Sequence, residues 1–238
     1  MLKALLLDLD GTLLDNPMDE FVPAYLRALS GYLAAYVSRD RFVAELLRAT
    51  RAMDLNDGCG PTNAEAFAAA FYPAVGVPRE TLEPVLERFY EKAFPALHST
   101  TRPVAGTRAL LDLACMRGWR IVIATNPLFP RTAIEQRLAW AGAPVDEHAY
   151  ALVTSYEDMH ATKSHPAYYR EILARLELAP HECLMAGDDW GWDIVPPVRL
   201  GLAAWWIASP DAAKPDAVAL AGQGSLADLC AWLRALPD

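Results

Sequence analysis

The chain has 238 residues, 53% hydrophobic and 21% charged, a balance that supports a packed core and excludes a disordered polypeptide. Its 21 basic and 30 acidic residues give a formal charge of -9 with no long run of Lys or Arg, which excludes a nucleic-acid patch or a surface for anionic membranes. Only four apolar residues separate Lys3 from Asp8, and no apolar run approaches membrane-spanning length, so a cytoplasmic protein is expected. Cys59, Cys115, Cys183 and Cys230 show neither zinc spacing nor a disulfide framework, and are expected to be small buried hydrophobes.

In chain order, the first element is the apolar run ALLL at residues 4–7, which reads as a strand covered on both faces and therefore as part of a parallel sheet. It ends in Asp8 and Asp10, followed at once by Gly11-Thr12. From Phe21 to Met53 the apolar residues recur at three- and four-residue spacing, as in a pair of helices. The Gly- and Pro-containing stretch 56–63 reads as a loop, with Asn63 placed to cap the Ala-rich helix that follows. Another helical segment runs from Arg79 to Phe94, so residues 16–98 are expected to be entirely helical.

Beyond Arg102 the pattern alternates. Helices are expected at Thr107 to Met116, Arg131 to Trp140 and Pro166 to Leu176, and strands at RIVIAT ending in Thr125, around Ala151 to Thr154, at CLMAG ending in Gly187, and at LAAWWIA, residues 202–208. Such alternation predicts an α/β fold: a Rossmann-like parallel sheet with helices on both faces, interrupted after its first strand by a helical insert. The expected division is a core of residues 1–15 and 99–238 with a helical domain of residues 16–98.

Ligands of open α/β sheets bind beyond the carboxyl ends of the strands. The strands here deliver Asp8 and Asp10, then Thr125 and Asn126, then Asp188 and Asp189, with Lys163 on the loop after the third. Residues two apart on a strand share a face, so Asp8 and Asp10 can address one small ligand, and their mutual repulsion calls for a cation. Asp188, Asp189 and Asp193 offer hard oxygen ligands suited to Mg²⁺, and Lys163 a compact charge able to pair with a carboxylate and a phosphate together. Thr125 adds a hydroxyl, and the main-chain N–H groups of Gly11, Thr12 and Asn126 suit oxyanions. Taken singly, Thr125 is an ordinary capping residue and a lysine is most often a solvated surface charge; their order along the chain gives them weight. Together they describe a phosphate site containing a nucleophile.

DLDGTL at residues 8–13, the strand ending in Thr125-Asn126, Lys163 before a helix and GDDWGWD from Gly187 resemble, in order, the four motifs of the haloacid dehalogenase-like hydrolase superfamily. The connecting segments are similar to its phosphoglycolate-phosphatase-like branch, and the insert matches that branch's helical cap in position and character. The resemblance implies a Mg²⁺-dependent phosphatase for a small phosphorylated metabolite. Asp8 would be the nucleophile, forming an aspartyl-phosphate; Asp10 would be the general acid and base; and Thr125, Asn126 and Lys163 would bind the phosphate oxygens. Mg²⁺ would be held by Asp8, the Asp10 carbonyl and Asp188, with Asp189 and Asp193 as alternate or outer ligands. The motif departs from the family at Ser164-His165-Pro166, where Pro-x-Pro is usual, and at Asp189, where Ser is common.

A phosphomutase of the β-phosphoglucomutase type shares every core residue and stays open as an alternative. A 2-haloacid dehalogenase needs no acid at position 10, and a non-enzymatic phospho-acceptor domain would be about half this length with no helical insert. Monomer and homodimer are not distinguished by the sequence.

Overall fold

The computed structural model describes residues 1–215 and 218–237. The chain begins with β1 (Ala4–Leu7), whose four residues are buried, then β2 (Leu14–Asp15). Four helices follow, α1 (Met18–Tyr32), α2 (Arg39–Asp54), α3 (Asn63–Val75) and α4 (Arg79–Lys92), and a 3₁₀ segment Phe94–Thr100 leads to β3 (Arg102–Pro103). The remainder runs α5 (Thr107–Met116), β4 (Arg120–Ile123), α6 (Arg131–Trp140), β5 (Tyr150–Val153), α7 (Ala167–Leu176), β6 (Cys183–Gly187), a π-helical turn Trp190–Ile194, α8 (Val195–Arg199), β7 (Ala203–Ile207), β8 (Gly222–Gly224) and α9 (Leu226–Arg234).

Among the described residues the main sheet has six strands in the order β5-β4-β1-β6-β7-β8, all parallel. Its two faces are covered by separate apolar layers, one built around Leu5, Leu7, Leu111 and Ile134, the other around Leu6, Val122, Tyr168 and Ile172. The alternation of Leu5 and Leu7 with Leu6 between these layers is the period-two pattern of a strand buried on both sides.

The register positions the site. Leu7 lies opposite Ile123 on one side and Ala186 on the other, and the ladder runs one bond further on each: the Asp8 N–H donates to the Ala186 carbonyl at 2.9 Å, and the Ala124 N–H to the Leu7 carbonyl at 2.7 Å. Asp8, Thr125 and Gly187 are therefore neighbours on one rim. After Asp8 the chain reverses sharply about Gly11, whose φ of 85° lies in the region that favours glycine. It then enters β2, which pairs antiparallel with β3, so the two crossings between sheet and insert form one short ribbon.

The insert has its own aromatic core, with Phe21, Phe42, Phe71, Phe89 and Phe94 fully buried. The helical reading of this region holds, with one change at α3. Thr62, not Asn63, caps it in a reciprocal capping box: the Glu65 N–H donates to Thr62 Oγ1 at 3.3 Å and the Thr62 N–H to Glu65 Oε2 at 3.0 Å. Asn63, displaced into the first turn and fully buried, ties the insert to the sheet loops. Its N–H donates to the Met159 carbonyl at 2.8 Å, and its side-chain amide to the Ala161 carbonyl at 3.1 Å.

β8 and α9 were not anticipated. β8 is Gly-Gln-Gly, which carries no strand periodicity, and it is positioned by pairing with β7. Cys183 and Cys230 are buried as expected, but Cys59 and Cys115 are exposed; all four are free thiols. No helix among the described residues is long and apolar enough to cross a membrane.

Candidate active site

Lys163 is the centre of the rim. Its side chain is only 2% exposed, and its ammonium donates to Asp8 Oδ1 and to Asp193 Oδ1, the latter at 2.7 Å. The loop carrying it is fixed from behind, because the Lys163 N–H donates to Asn126 Oδ1 at 3.2 Å. Asp8 is also buried, so two carboxylates and one ammonium share a low-dielectric pocket at the strand ends.

Asp193 reaches this pocket through the local backbone. The turn Trp190–Ile194 is wound wider than an α-helix, and Asp193 Oδ2 accepts the Asp189 N–H at 3.2 Å. Gly187 leaves the space that it fills: a Cβ there would stand 2.3 Å from Asp193 Oδ2. Asp188, exposed on the outer side, accepts from Thr12 Oγ1 at 3.3 Å through Oδ1, while its carbonyl accepts from Trp206 Nε1 at 2.9 Å. Oxygens of Asp8, Asp188 and Asp193 lie within 4.8 Å of one another.

Asp189 does not join that group. Its Oδ1 accepts the Trp192 N–H at 2.8 Å and caps the turn, so of the two acids that the sequence left unranked it is Asp193 that stands beside Asp8 and Asp188. Trp190 packs edge-on against Trp206, with ring centroids 4.9 Å apart, and Trp192 is half-exposed.

The electrostatics follow from this crowding. Burial raises the Asp8 carboxyl, with Lys163 opposing. Burial also pushes Asp193 up to about 8 against the pull of Lys163, and Asp188 up to about 6 with the Asp8 charge adding to the shift. Burial alone would depress Lys163, but Asp193 and Asp8 together outweigh it and raise its pKa, so it stays charged. Two carboxylates therefore bond one ammonium with a third, Asp188, beside them, and a hard divalent cation suits the excess negative charge: the oxygens of Asp8 and Asp188 at strand ends and of Asp193 on the turn after β6 are donors such an ion takes.

Asp10 faces elsewhere. Its Oδ1 accepts from Asn16 Nδ2 at 2.7 Å, and its Oδ2 is ion-paired with Arg137 Nη1. Arg137, on α6, is 1% exposed, and its guanidinium lies 4.5 Å from the centre of the Phe129 ring. Sequence reasoning missed it, although a signal was present. Arg137 sits among Ala133, Ile134 and Leu138 at helical spacing, on the face of α6 that is buried, where an unpaired charge would not be tolerated.

Thr125 is buried beyond β4, and its carbonyl accepts from both Thr154 Oγ1 and Tyr168 Oη at 2.8 Å, which pins the loop entering the site. Gly11 has no room for a side chain, since a Cβ would lie 2.3 Å from Asp188 Oδ2. The first, second and fourth strand-end groups and Lys163 thus meet at one rim, with Asp10 beside them and its side chain turned toward α6.

A Rossmann-like parallel sheet with an acid-and-lysine rim at its carboxyl end defines an α/β protein whose ligand site lies at the strand ends. The family model described as haloacid dehalogenase-like hydrolase matches residues 2–196, and the chain belongs to that family. Solved structures with the same fold include a 2-haloacid dehalogenase from Pseudomonas syringae pv. Tomato DC3000 (19% identity, TM-score 0.68, covering 98% of this chain and 99% of that one). They also include CbbY from Rhodobacter sphaeroides in complex with phosphate (21%, 0.60, 98% and 100%) and a HAD phosphatase from Thermococcus onnurineus (22%, 0.57, 96% of each). No protein of curated function matches the sequence.

Proposed function

We propose that the protein is a Mg²⁺-dependent phosphatase that hydrolyses a small phosphorylated metabolite through an aspartyl-phosphate on Asp8. The observation that carries this reading is the convergence of Asp8, Asp188 and Asp193 oxygens within 4.8 Å of one another, with the Lys163 ammonium bonded to Asp8 and Asp193. A bound Mg²⁺ would screen the repulsion between an anionic nucleophile and an anionic phosphate. Asp8, Asp188 and Asp193 are the side chains that would hold it, with the Asp10 carbonyl as a further ligand.

Asp8 attacks phosphorus, and the alkoxide leaves as Asp10, turning from Arg137 toward the rim, gives it a proton. Water then attacks the aspartyl-phosphate, breaking its P–O bond to Asp8 and releasing phosphate, while Asp10 takes a proton from that water, so one carboxyl serves both half-reactions. Lys163, Thr125 and the Asn126 N–H bind the oxygens over which charge spreads in the transition state; the Gly11 and Thr12 N–H groups, expected to share that work, are instead spent within the turn, on the Leu14 and Leu9 carbonyls at 2.8 and 3.3 Å. Residues 16–98 act as a cap on a core of residues 1–15 and 99–238, turning about the β2-β3 ribbon. An acid at position 10 distinguishes this chemistry from carbon-halogen hydrolysis, which has no leaving oxygen to protonate.

The test is release of inorganic phosphate from a panel of phosphate esters with and without Mg²⁺. Metal-dependent release that is lost in Asp8→Asn supports the reading. Movement of phosphate within a sugar phosphate, without release, would instead favour a mutase, and halide release from a 2-haloacid would overturn both.

A further inference from the structure

We infer that the leaving group of the substrate is an uncharged, largely apolar alcohol with about the bulk of one aromatic ring or a short branched chain, housed inside the helical insert. This rests on the phosphatase reading and adds the class of ester.

A chamber of about 200 Å³ lies between α1, α2, α3 and α4, and on its core side it is lined by Leu128, Phe129, Pro130 and Tyr156. None of the side chains lining it is charged. Its polar groups are hydroxyls, and most are already engaged: Tyr25 and Tyr90 bond each other at 2.8 Å, and Thr50 Oγ1 donates to its own helix at the Leu46 carbonyl, 2.9 Å away. A carboxylate or second phosphate on the leaving group would find no counter-ion there, and burying such a charge unpaired costs far more than the contacts return. An apolar cavity of about 150 Å³ accepts benzene, which sets the scale of the occupant.

The chamber borders the segment that follows Asn126. Leu128 and Phe129 follow closely on Asn126, and the Phe129 ring that walls the chamber carries the Arg137 guanidinium on its face. That guanidinium holds Asp10, the group that would protonate the departing oxygen. Charge and volume therefore divide the substrate: the anionic end belongs to Lys163 and the acid cluster, the neutral end to the insert.

Four alkyl phosphates of similar intrinsic reactivity test this with the intact protein and Mg²⁺: benzyl phosphate, 3-methylbutyl phosphate, glycerol 3-phosphate and phosphoglycolate. The expected result is a kcat/KM at least about tenfold higher for the first two, the scale on which apolar pockets discriminate. Leu46→Glu, which places a carboxylate in the wall, is expected to narrow the ratio of benzyl phosphate to glycerol 3-phosphate by about tenfold. The wild-type series decides the matter even if that variant fails to fold. Equal rates, or preference for glycerol 3-phosphate or phosphoglycolate, overturn the inference and leave the phosphatase reading intact. Absence of turnover for all four and for the wider ester panel overturns that reading, and the inference with it.

Discussion

Arg137 and Asp10 are ion-paired between the middle of α6 and the turn after β1, with the guanidinium 1% and the carboxylate 13% exposed. The pair joins a helix of the core to the loop leading into the insert, and Asn16 holds the other carboxylate oxygen. Breaking a buried pair from one side strands the remaining charge. Arg137→Ala is expected to destabilise the fold by about 3 kcal/mol, read from the urea midpoint, and to lower kcat by tenfold or more as Asp10 loses its fixed rotamer. Arg137→Lys restores the charge but not the planar fork, and should recover only part of both.

Asp8→Asn removes the nucleophile while keeping nearly the same volume. Turnover should fall by about 10⁴-fold or more, as for other nucleophile deletions. Phosphate-ester kinetics measure the loss, and intact mass after rapid quench should show a phosphorylated chain for the parent only.

Asp193 and Asp189 are neighbours in sequence with different work. Asp193→Asn alters the acid cluster and the partner of Lys163, so it should abolish Mg²⁺-dependent thermal stabilisation and most of the activity. Asp189→Ala removes a cap of the following turn and should cost about 1 kcal/mol with Mg²⁺ stabilisation retained. Differential scanning fluorimetry with and without the ion separates the two.

Chelation of the ion should stop turnover and lower the melting temperature together. At a free Mg²⁺ concentration of 100 times Kd, binding stabilises the folded state by about 2.7 kcal/mol. Gly187→Ala should mimic chelation, because its Cβ would occupy the position of the Asp193 carboxylate.

Asn63 links α3 to the loops that carry Tyr156, Met159 and Ala161. Asn63→Ala leaves the buried carbonyl of Ala161 without that donor, and is expected to cost about 1–3 kcal/mol. Faster amide exchange confined to residues 54–65 and 156–162 would show that the contact latches insert to core.

The strands that build the rim were legible because a strand buried on both faces needs a continuous apolar run, and β1, β4 and β6 each have one. The helices of the insert were legible from their spacing. β8 was not, since Gly222, Gln223 and Gly224 gain their strand conformation from pairing with Trp205, Trp206 and Ile207, which no local pattern encodes. Thr62 rather than Asn63 as the cap of α3 was open to reading, because Glu65 stands three residues beyond Thr62 as a capping box requires.

What the sequence determined by itself was the set of reactive groups and their order: an acid pair after the first strand, a hydroxyl after the second, an amine, then an acid cluster. Local periodicity fixes where strands end, and strand ends fix which side chains reach a common rim. The tertiary structure decided which of those side chains turn inward. Asp193 rather than Asp189 meets Lys163, and Arg137 takes the Asp10 carboxylate, because these choices depend on burial and counter-charge between segments far apart in the chain. Coulomb energy and desolvation act on distance in space, and the sequence records distance only along the backbone.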